Sequence, residues 1–87
     1  MNRNIKKCVP GNPLYSIGDD VTFNFDRGHG RYTVYRGIIG IVDSYGSLEF
    51  YMEQPSYDIW IKEENGKDCL CKHVPEKDIV QVHNKSN

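Results

Sequence analysis

The chain has 87 residues, a net charge of −1 and no alanine. Val, Ile, Thr, Tyr, Phe and Trp together number 27, whereas Ala, Leu, Met and Gln together number seven. Because β-branched and aromatic side chains favour strands while Ala and Leu favour helices, this composition excludes a helical bundle or a coiled coil. A chain of this length supports one hydrophobic core, so we expect a single small, mostly β domain.

The N-terminus and the cysteines bear on the cellular compartment. No apolar run approaches the ~18 residues that a membrane-spanning helix needs. Residues 1–7 are basic, but no apolar segment of a secretory signal follows them, so we expect a cytoplasmic protein with no membrane partner. The cysteines are Cys8, Cys69 and Cys71, and an odd number without a signal does not indicate a disulfide framework.

The predicted elements begin after an N-terminal arm. Residues 1–13 contain two prolines and a glycine without hydrophobic periodicity, which predicts a flexible segment. Apolar and polar side chains alternate in residues 20–25, as in a half-buried strand. The glycine-rich residues 26–31 form a loop, and residues 32–43 form a long strand. Both faces of that strand are apolar, which predicts a β-bulge at Gly40 or a sharply coiled strand.

The second half of the chain contains the strongest local signal. Residues 43–56 predict a long connection that contains either a short strand or one helical turn. Asn65-Gly66 then separates two β-rich segments, and Asn-Gly is the preferred two-residue hairpin turn. A single 3-10 turn, the last strand and a polar tail follow. The predicted segments of this half are residues 57–62, 69–74, 75–78, 79–83 and 84–87.

A two-residue turn fixes the register of the hairpin and therefore the direction of its side chains. It pairs Ile61 with Leu70 and Trp60 with Cys71. Because side chains alternate along a strand, Ile61 and Leu70 are expected to face the core. The expected outer face carries Asp58, Trp60, Lys62, Cys69, Cys71 and His73.

Three short motifs frame these elements. They are Gly18-Asp19-x-Val21, Gly37-Ile38-Ile39-Gly40-Ile41-Val42 and Pro75-Glu76-x-Asp78-Ile79. They resemble the frame of small bacterial SH3-like domains across residues 14–83. The resemblance implies an all-β, SH3-like five-stranded barrel with a single 3-10 turn before the last strand. The whole chain also resembles a small protein encoded by a Bacillus prophage, which implies a phage-related setting.

Cys69, Cys71 and His73 recur at every second position, and with Cys8 as a fourth ligand they are candidates for a zinc site. Structural zinc sites usually take their cysteines from Cys-x₂₋₄-Cys turns, whereas Cys-x-Cys on an extended strand spaces the sulfurs poorly. The alternative is that the cysteines pack as small side chains beside Trp60. We favour that alternative and expect no metal and no other cofactor.

Arg27, His29 and Arg31 lie on the glycine-rich loop and are suited to contact phosphates. Nucleic-acid binding through this loop and the basic arm is one hypothesis. The net charge of the chain weighs against it. The alternative is a solvated loop whose glycines serve only the geometry of the turn.

Ten aromatic residues exceed what so small a core needs. Trp60, on the expected outer face, is the best candidate for an exposed aromatic, and Tyr45 and Tyr51 from the connection are expected near it. SH3-like barrels often bind peptides through aromatic grooves, which the resemblance extends to this chain. The alternative that we favour for Trp60 itself is that the arm or the connection covers it, because exposed tryptophan is costly unless it is used.

The leading hypothesis is a non-catalytic module that binds a protein through this aromatic surface. The acidic middle of the chain, residues 37–68, favours a basic partner. The histidines lie on separate segments, and no nucleophile stands in a catalytic motif, so we expect no enzyme activity. A monomer is expected.

Overall fold

The computed structural model describes residues 7–28 and 30–83. Within them the chain forms five antiparallel strands in one sheet, with two short 3-10 turns and no α-helix. The all-β prediction is confirmed, and every predicted strand end lies within one residue of an observed one. The strands are β1 (Asp20–Phe25), β2 (Thr33–Asp43), β3 (Ser56–Lys62), β4 (Asp68–Pro75) and β5 (Ile79–Val82).

The two 3-10 turns lie in the connections on either side of the β3–β4 hairpin. The second, Glu76–Asp78, is the turn expected before the last strand. The first, Leu48–Phe50, lies between β2 and β3, so the connection contains a helical turn rather than a strand. The turn expected before the last strand is therefore confirmed, and in the connection the structure favours the helical turn over the short strand. The predicted tail, residues 84–87, and residues 1–6 of the predicted arm lie outside the described residues.

The order of the strands in the sheet is β4-β3-β2-β1-β5. β1 to β4 form an antiparallel meander, and β5 returns to pair with the other edge of β1. β4 and β5 are therefore the two edges, and no hydrogen-bonded pairing between these two described strands closes the sheet into a barrel. The sheet instead curls around one core, because all five strands contribute side chains to a single cluster.

Side chains alternate between the two faces of each strand, and those that point inward form the core. Phe23 lies near its centre, with its ring 6.3 Å from the ring of Phe25 and 6.0 Å from that of Tyr35. Such tilted and edge-on aromatic pairs add to the stabilisation that burial alone provides. The buried apolar residues are Val21, Phe23, Ile39, Tyr57, Ile59, Ile61, Cys71, Val74 and Ile79.

A β-bulge interrupts β2 at Gly40, as the apolar pattern predicts. The register between β2 and β3 shifts between Ile39 and Ile41, so one extra residue is inserted there. Ile39 is buried and Val42 packs against the core, whereas Ile38 and Ile41 are exposed. The bulge thus lets the strand place apolar side chains on both faces.

The β3–β4 hairpin turns through three residues rather than the predicted two. The N–H of Glu63 donates to the carbonyl oxygen of Lys67 at 2.7 Å, and the N–H of Gly66 donates to that of Glu63 at 2.9 Å. Within the loop only Gly66 has a positive φ, of 87°. The Asn65 side chain accepts a hydrogen bond from the N–H of Lys67 at 2.9 Å. A three-residue loop with glycine in the left-handed position is a common hairpin connection.

The longer loop shifts the pairing by one residue and reverses the side chains of β4. Trp60 pairs with Leu70, and Ile61 pairs with Cys69. Because a slip of one residue moves each side chain to the other face, Cys71 is buried and Cys69 packs against the core. Leu70 points outward beside Trp60. The predicted placement of both cysteines on the outer face is therefore wrong.

A second irregularity lies at His73 in β4. The register between β3 and β4 shifts between Tyr57 and Ile59, and His73 has a positive φ of 62°. The N–H of His73 donates to the carboxylate of Asp58 at 3.0 Å, which replaces a ladder hydrogen bond. The shift returns Val74 to the core face, where it is fully buried.

Hydrogen bonds to the buried Glu76 join the residues before β1 to the second 3-10 turn. Glu76 is fully buried, and its Oε2 accepts hydrogen bonds from the Tyr57 hydroxyl at 2.5 Å and from the N–H of Leu14 at 2.8 Å. The Tyr15 ring packs edge-on against that of Tyr57, with centroids 5.8 Å apart. Burial raises the pKa of Tyr57, and Glu76 raises it further. Tyr57 therefore keeps its proton and remains a donor at neutral pH.

The variant Tyr57→Phe removes this donor and leaves a buried carboxylate with one partner fewer. A hydrogen bond to a charged group contributes about 1.5–3 kcal/mol, so we expect the free energy of unfolding in urea to fall by about that amount. Tyr45→Phe, which alters an exposed tyrosine, is the matched control. Equal losses in the two variants contradict the role assigned to this bond.

The variant Gly66→Val places a β-branched residue at a φ of 87°. We expect it to lower the free energy of unfolding by about 1–2 kcal/mol or more, because such residues are strained in the left-handed region. Glu64→Val changes the same loop at a position without positive φ and serves as the control. If thermal denaturation finds the two variants equally stable, the loop conformation described above is wrong.

Candidate protein-binding surface

Trp60 lies on the outer face of β3, at the centre of an exposed apolar area. Its cross-strand neighbours are Ile38 on β2 and Leu70 on β4. The side chain of Trp60 is 47% exposed, and Ile38 and Ile41 are similarly exposed. Neither the connection nor the described part of the arm covers Trp60, contrary to the expectation from the sequence. We call Ile38, Ile41, Trp60 and Leu70 the Trp60 surface.

Two glycines of β2 leave room for Trp60: Gly40 for its indole and Gly37 for its backbone. A Cβ atom at Gly40 would lie 2.9 Å from two atoms of the Trp60 indole, Cδ1 and Nε1. A Cβ atom at Gly37 would lie 2.1 Å from the carbonyl oxygen of Trp60. Such distances are far inside van der Waals contact, so any larger residue would displace β3 or its tryptophan. The bulge and the position of Trp60 are therefore parts of one arrangement.

A shallow pocket of about 290 Å³ adjoins Trp60. Arg36 and Asp20 lie on one side of it, and Lys62 and Asp68 lie on the other. Both charged pairs are ion pairs, because the Arg36 guanidinium contacts the Asp20 carboxylate at 2.9 and 3.0 Å and Lys62 Nζ lies 2.9 Å from Asp68. Hydrogen bonding by Arg36 lowers the pKa of Asp20. The rim is thus neutralised within the chain, and the apolar centre dominates this surface.

The two tyrosines expected beside Trp60 lie elsewhere. Tyr45 and Tyr51 are both exposed, but neither lines the pocket beside Trp60. Tyr45 instead packs against the arm, since a Cβ atom at Gly11 would lie 2.9 Å from its ring. β3 begins at Ser56, four residues or about 13 Å along the strand from Trp60. The two tyrosines are therefore not part of the pocket beside Trp60.

The described part of the arm lies against the β2–β3 connection. The N–H of Gly11 donates to the carbonyl oxygen of Ser44 at 2.8 Å, and the N–H of Asn12 donates to that of Val9 at 3.0 Å. This small turn places the Tyr45 ring next to the glycine. The arm thus contacts the connection at the end of the sheet opposite the β3–β4 hairpin.

The glycine-rich loop places its first arginine in an internal ion pair. Arg27 donates to both carboxylate oxygens of Glu63, at 2.6 and 3.2 Å, and to Cys69 Sγ at 3.3 Å. Its guanidinium also lies 5.9 Å from the centre of the Tyr35 ring. These contacts connect the loop after β1 to the β3–β4 hairpin. Arg27 is therefore engaged within the chain rather than presented to a phosphate.

Both arginines are exposed, but Arg31 differs from Arg27 because it forms no ion pair with any residue that the structure describes. A groove of about 480 Å³ runs beside it, between Arg27, Thr33 and Tyr35. His29 lies outside the described residues. Of the two predicted arginines, Arg27 is held in an ion pair and Arg31 remains available to a ligand.

Cys69, Cys71 and His73 do not share one face of β4. Cys71 is buried, and burial, with a smaller contribution from Cys69, raises its pKa to about 11. Cys69 lies beside Arg27, whereas the ring of His73 contacts Ser47 Oγ through Nδ1 at 2.8 Å. The irregularity at His73 breaks the alternation on which the predicted face depends. Among residues 7–28 and 30–83 no group of three or more His, Cys, Asp or Glu side chains is placed to hold a metal ion.

Sequence reasoning did not identify the neighbours of Trp60. Leu70 was placed in the core, because the two-residue turn gives the wrong register for β4. Ile38 and Ile41 were recognised as apolar residues of a bulged strand but not as exposed ones. The apolar residues on both faces of β2 could have indicated that Ile38 and Ile41 are exposed. Only one face of a sheet this small can be buried, so apolar residues on the other face must be exposed.

Comparison with protein-family models, curated proteins and solved structures finds no match to this chain. Within the described part of the chain, no helix has the length and apolar character needed to cross a membrane.

The Arg27–Glu63 ion pair gives a prediction about pH. Hydrogen bonding by Arg27 lowers the pKa of Glu63, so the pair contributes at neutral pH and is lost as the pH falls through this lowered value. We expect the Glu63 carboxyl, followed by NMR, to titrate below its ordinary pKa of about 4.3. In Arg27→Gln the midpoint returns to the ordinary value, and in Arg31→Gln it stays low. A midpoint unchanged by Arg27→Gln excludes the pair in solution.

Proposed function

We propose that this protein is a non-catalytic binding module that docks a protein partner on the Trp60 surface. The observation that carries the proposal is the half-exposed Trp60 flanked by Ile38 and Leu70 on the neighbouring strands. Tryptophan is the residue type most enriched among the anchors of protein interfaces, and such anchors are surrounded by contacts that exclude water. The paired charges on the rim fit the polar border of such an interface.

An SH3-like barrel in a phage-related setting is the second part of the proposal. The strand order β4-β3-β2-β1-β5 and the 3-10 turn between β4 and β5 support the SH3-like assignment. Small barrels of this kind bind extended peptides through aromatic surfaces. The prophage setting depends on the sequence resemblance alone.

The positions of the described histidines support a non-catalytic role. His73 contacts Ser47, but the Asp58 carboxylate bonds to the backbone N–H of His73 rather than to its ring. A nucleophilic triad needs the acid on the ring of the histidine, where it fixes the tautomer. His83 contacts the hydroxyl of Thr22 on β1, whereas His73 lies on β4. The two rings thus serve separate structural contacts.

Nucleic-acid binding through Arg27, His29 and Arg31 has less support. The Arg27 guanidinium is held by Glu63, and Arg36 is held by Asp20. Neutralising phosphates requires several available cations. A protein partner therefore ranks ahead of a nucleic acid.

A photo-crosslinking experiment tests the proposal directly. A photoreactive amino acid at Ile41, within the Trp60 surface, is expected to form an adduct with a protein of the native host. The adduct is expected to be lost in the Trp60→Ala background, because removing an interface anchor costs roughly 2 kcal/mol or more, about 30-fold in affinity. The same photoreactive residue at Tyr32, which is 64% exposed against 46% for Ile41, is the control away from the Trp60 surface.

The outcomes separate the candidates. An adduct that depends on Trp60 and is destroyed by protease supports the proposal, provided that thermal denaturation shows the Trp60→Ala variant to be folded. An adduct that is destroyed by nuclease favours the second candidate and contradicts the first. Equal adducts from Ile41 and Tyr32, or an adduct that persists in the Trp60→Ala background, also contradict docking on the Trp60 surface.

A further inference from the structure

A second exposed apolar group lies in the connection between β2 and β3. Leu48, Tyr51 and Met52 are 71%, 66% and 55% exposed, so they are less buried than Trp60. They lie within five consecutive residues at and after the first 3-10 turn. We call residues 48–53 the Tyr51 turn.

The backbone of this turn holds two bulky residues in a conformation that favours glycine. The N–H of Glu53 donates to the carbonyl oxygen of Phe50 at 2.9 Å, Tyr51 has φ −58° and ψ 128°, and Met52 has φ 65°. These values describe a type II turn, whose third position requires positive φ and favours glycine. Leu48 also has a positive φ, of 52°. Both side chains are thus held out toward solvent, where they contribute little to the core.

The charges of the Tyr51 turn are available, unlike those around Trp60. Glu49 and Glu53 are exposed, and neither forms an ion pair with a residue of the described chain. Around Trp60, by contrast, Arg36 and Lys62 each pair with a carboxylate of the chain. A surface that combines apolar side chains with unneutralised carboxylates is complementary to a cationic partner that also carries apolar groups.

We propose that the Tyr51 turn is a docking surface for a basic polypeptide segment that carries apolar side chains. The cations of that segment contact Glu49 and Glu53, and its apolar side chains cover Leu48, Tyr51 and Met52. This surface is separate from the pocket beside Trp60, which extends toward Lys62 and Asp68 and away from the start of β3. It therefore stands independently of the function proposed for Trp60, and together the two surfaces let one chain bridge two partners.

A titration with synthetic peptides tests this surface. The isotopically labelled full chain is titrated with a short lysine–leucine peptide, and amide shifts are followed by NMR. We expect saturable shifts at residues 48–53 that weaken as salt is added. A lysine–serine peptide and a glutamate–leucine peptide are each expected to bind at least about tenfold more weakly. Equal binding of the glutamate–leucine peptide, or shifts confined to the Trp60 surface, overturns the proposal.

The variant Leu48→Gly/Met52→Gly removes two apolar side chains without backbone strain. Because glycine suits both positions, we expect its thermal midpoint to equal or exceed that of the parent while binding of the lysine–leucine peptide is lost. Glu49→Gln/Glu53→Gln is expected to weaken binding and to reduce its dependence on salt. Trp60→Ala is the matched control and is expected to bind the peptide as the parent does. Undiminished binding by the double-glycine variant refutes the assignment.

Two other occupants have distinct outcomes. Shifts at residues 48–53 that depend on protein concentration without peptide indicate a second copy of this chain. A second comparison uses the variant Arg3→Gln/Lys6→Gln/Lys7→Gln without peptide. If the amide signals of residues 48–53 shift in that variant, the basic N-terminal segment is the occupant. Either result overturns an external basic partner.

Discussion

Strict alternation of strand side chains is the constraint on which the rest of this structure depends. A single curled sheet has one inner face, yet β2 and β4 carry apolar residues on both of their faces. The chain breaks the alternation at Gly40 and again at His73. The first break places Ile41 outside and Val42 against the core, while Ile39 remains buried. The bulge therefore adds Ile41 to the exposed apolar residues around Trp60.

The elements of the fold could be predicted because their signals are local. Alternation within residues 20–25 and the apolar excess around Gly40 each depend on neighbouring residues, and both predictions are confirmed. The hairpin register could not be predicted in the same way. Asn-Gly fits a two-residue and a three-residue loop alike, and the observed loop is connected through Glu63 to Arg27, 36 residues earlier. One residue of difference in the loop then reversed the faces assigned to the cysteines.

The candidate sites were predicted as residue types rather than as arrangements. Trp60 was expected on the outer face and lies there, but its separation from Tyr51 depends on the path of the connection. The positive φ of Met52 has no signal in the sequence, since glycine or asparagine is the residue expected at that position. The positions of the charges could not be predicted either. The net charge of −1 does not show that carboxylates form ion pairs beside Trp60 and are available at the Tyr51 turn.

The hydrogen bond from the N–H of Leu14 to the carboxylate of the buried Glu76 joins residues 62 positions apart in the chain. Contacts of this separation close long loops and form late, so proteins rich in them fold slowly. Until Glu76 and the strand after it are in place, the edge of β1 that pairs with β5 is unpaired. An incomplete sheet of this kind exposes a strand edge that can pair with other chains.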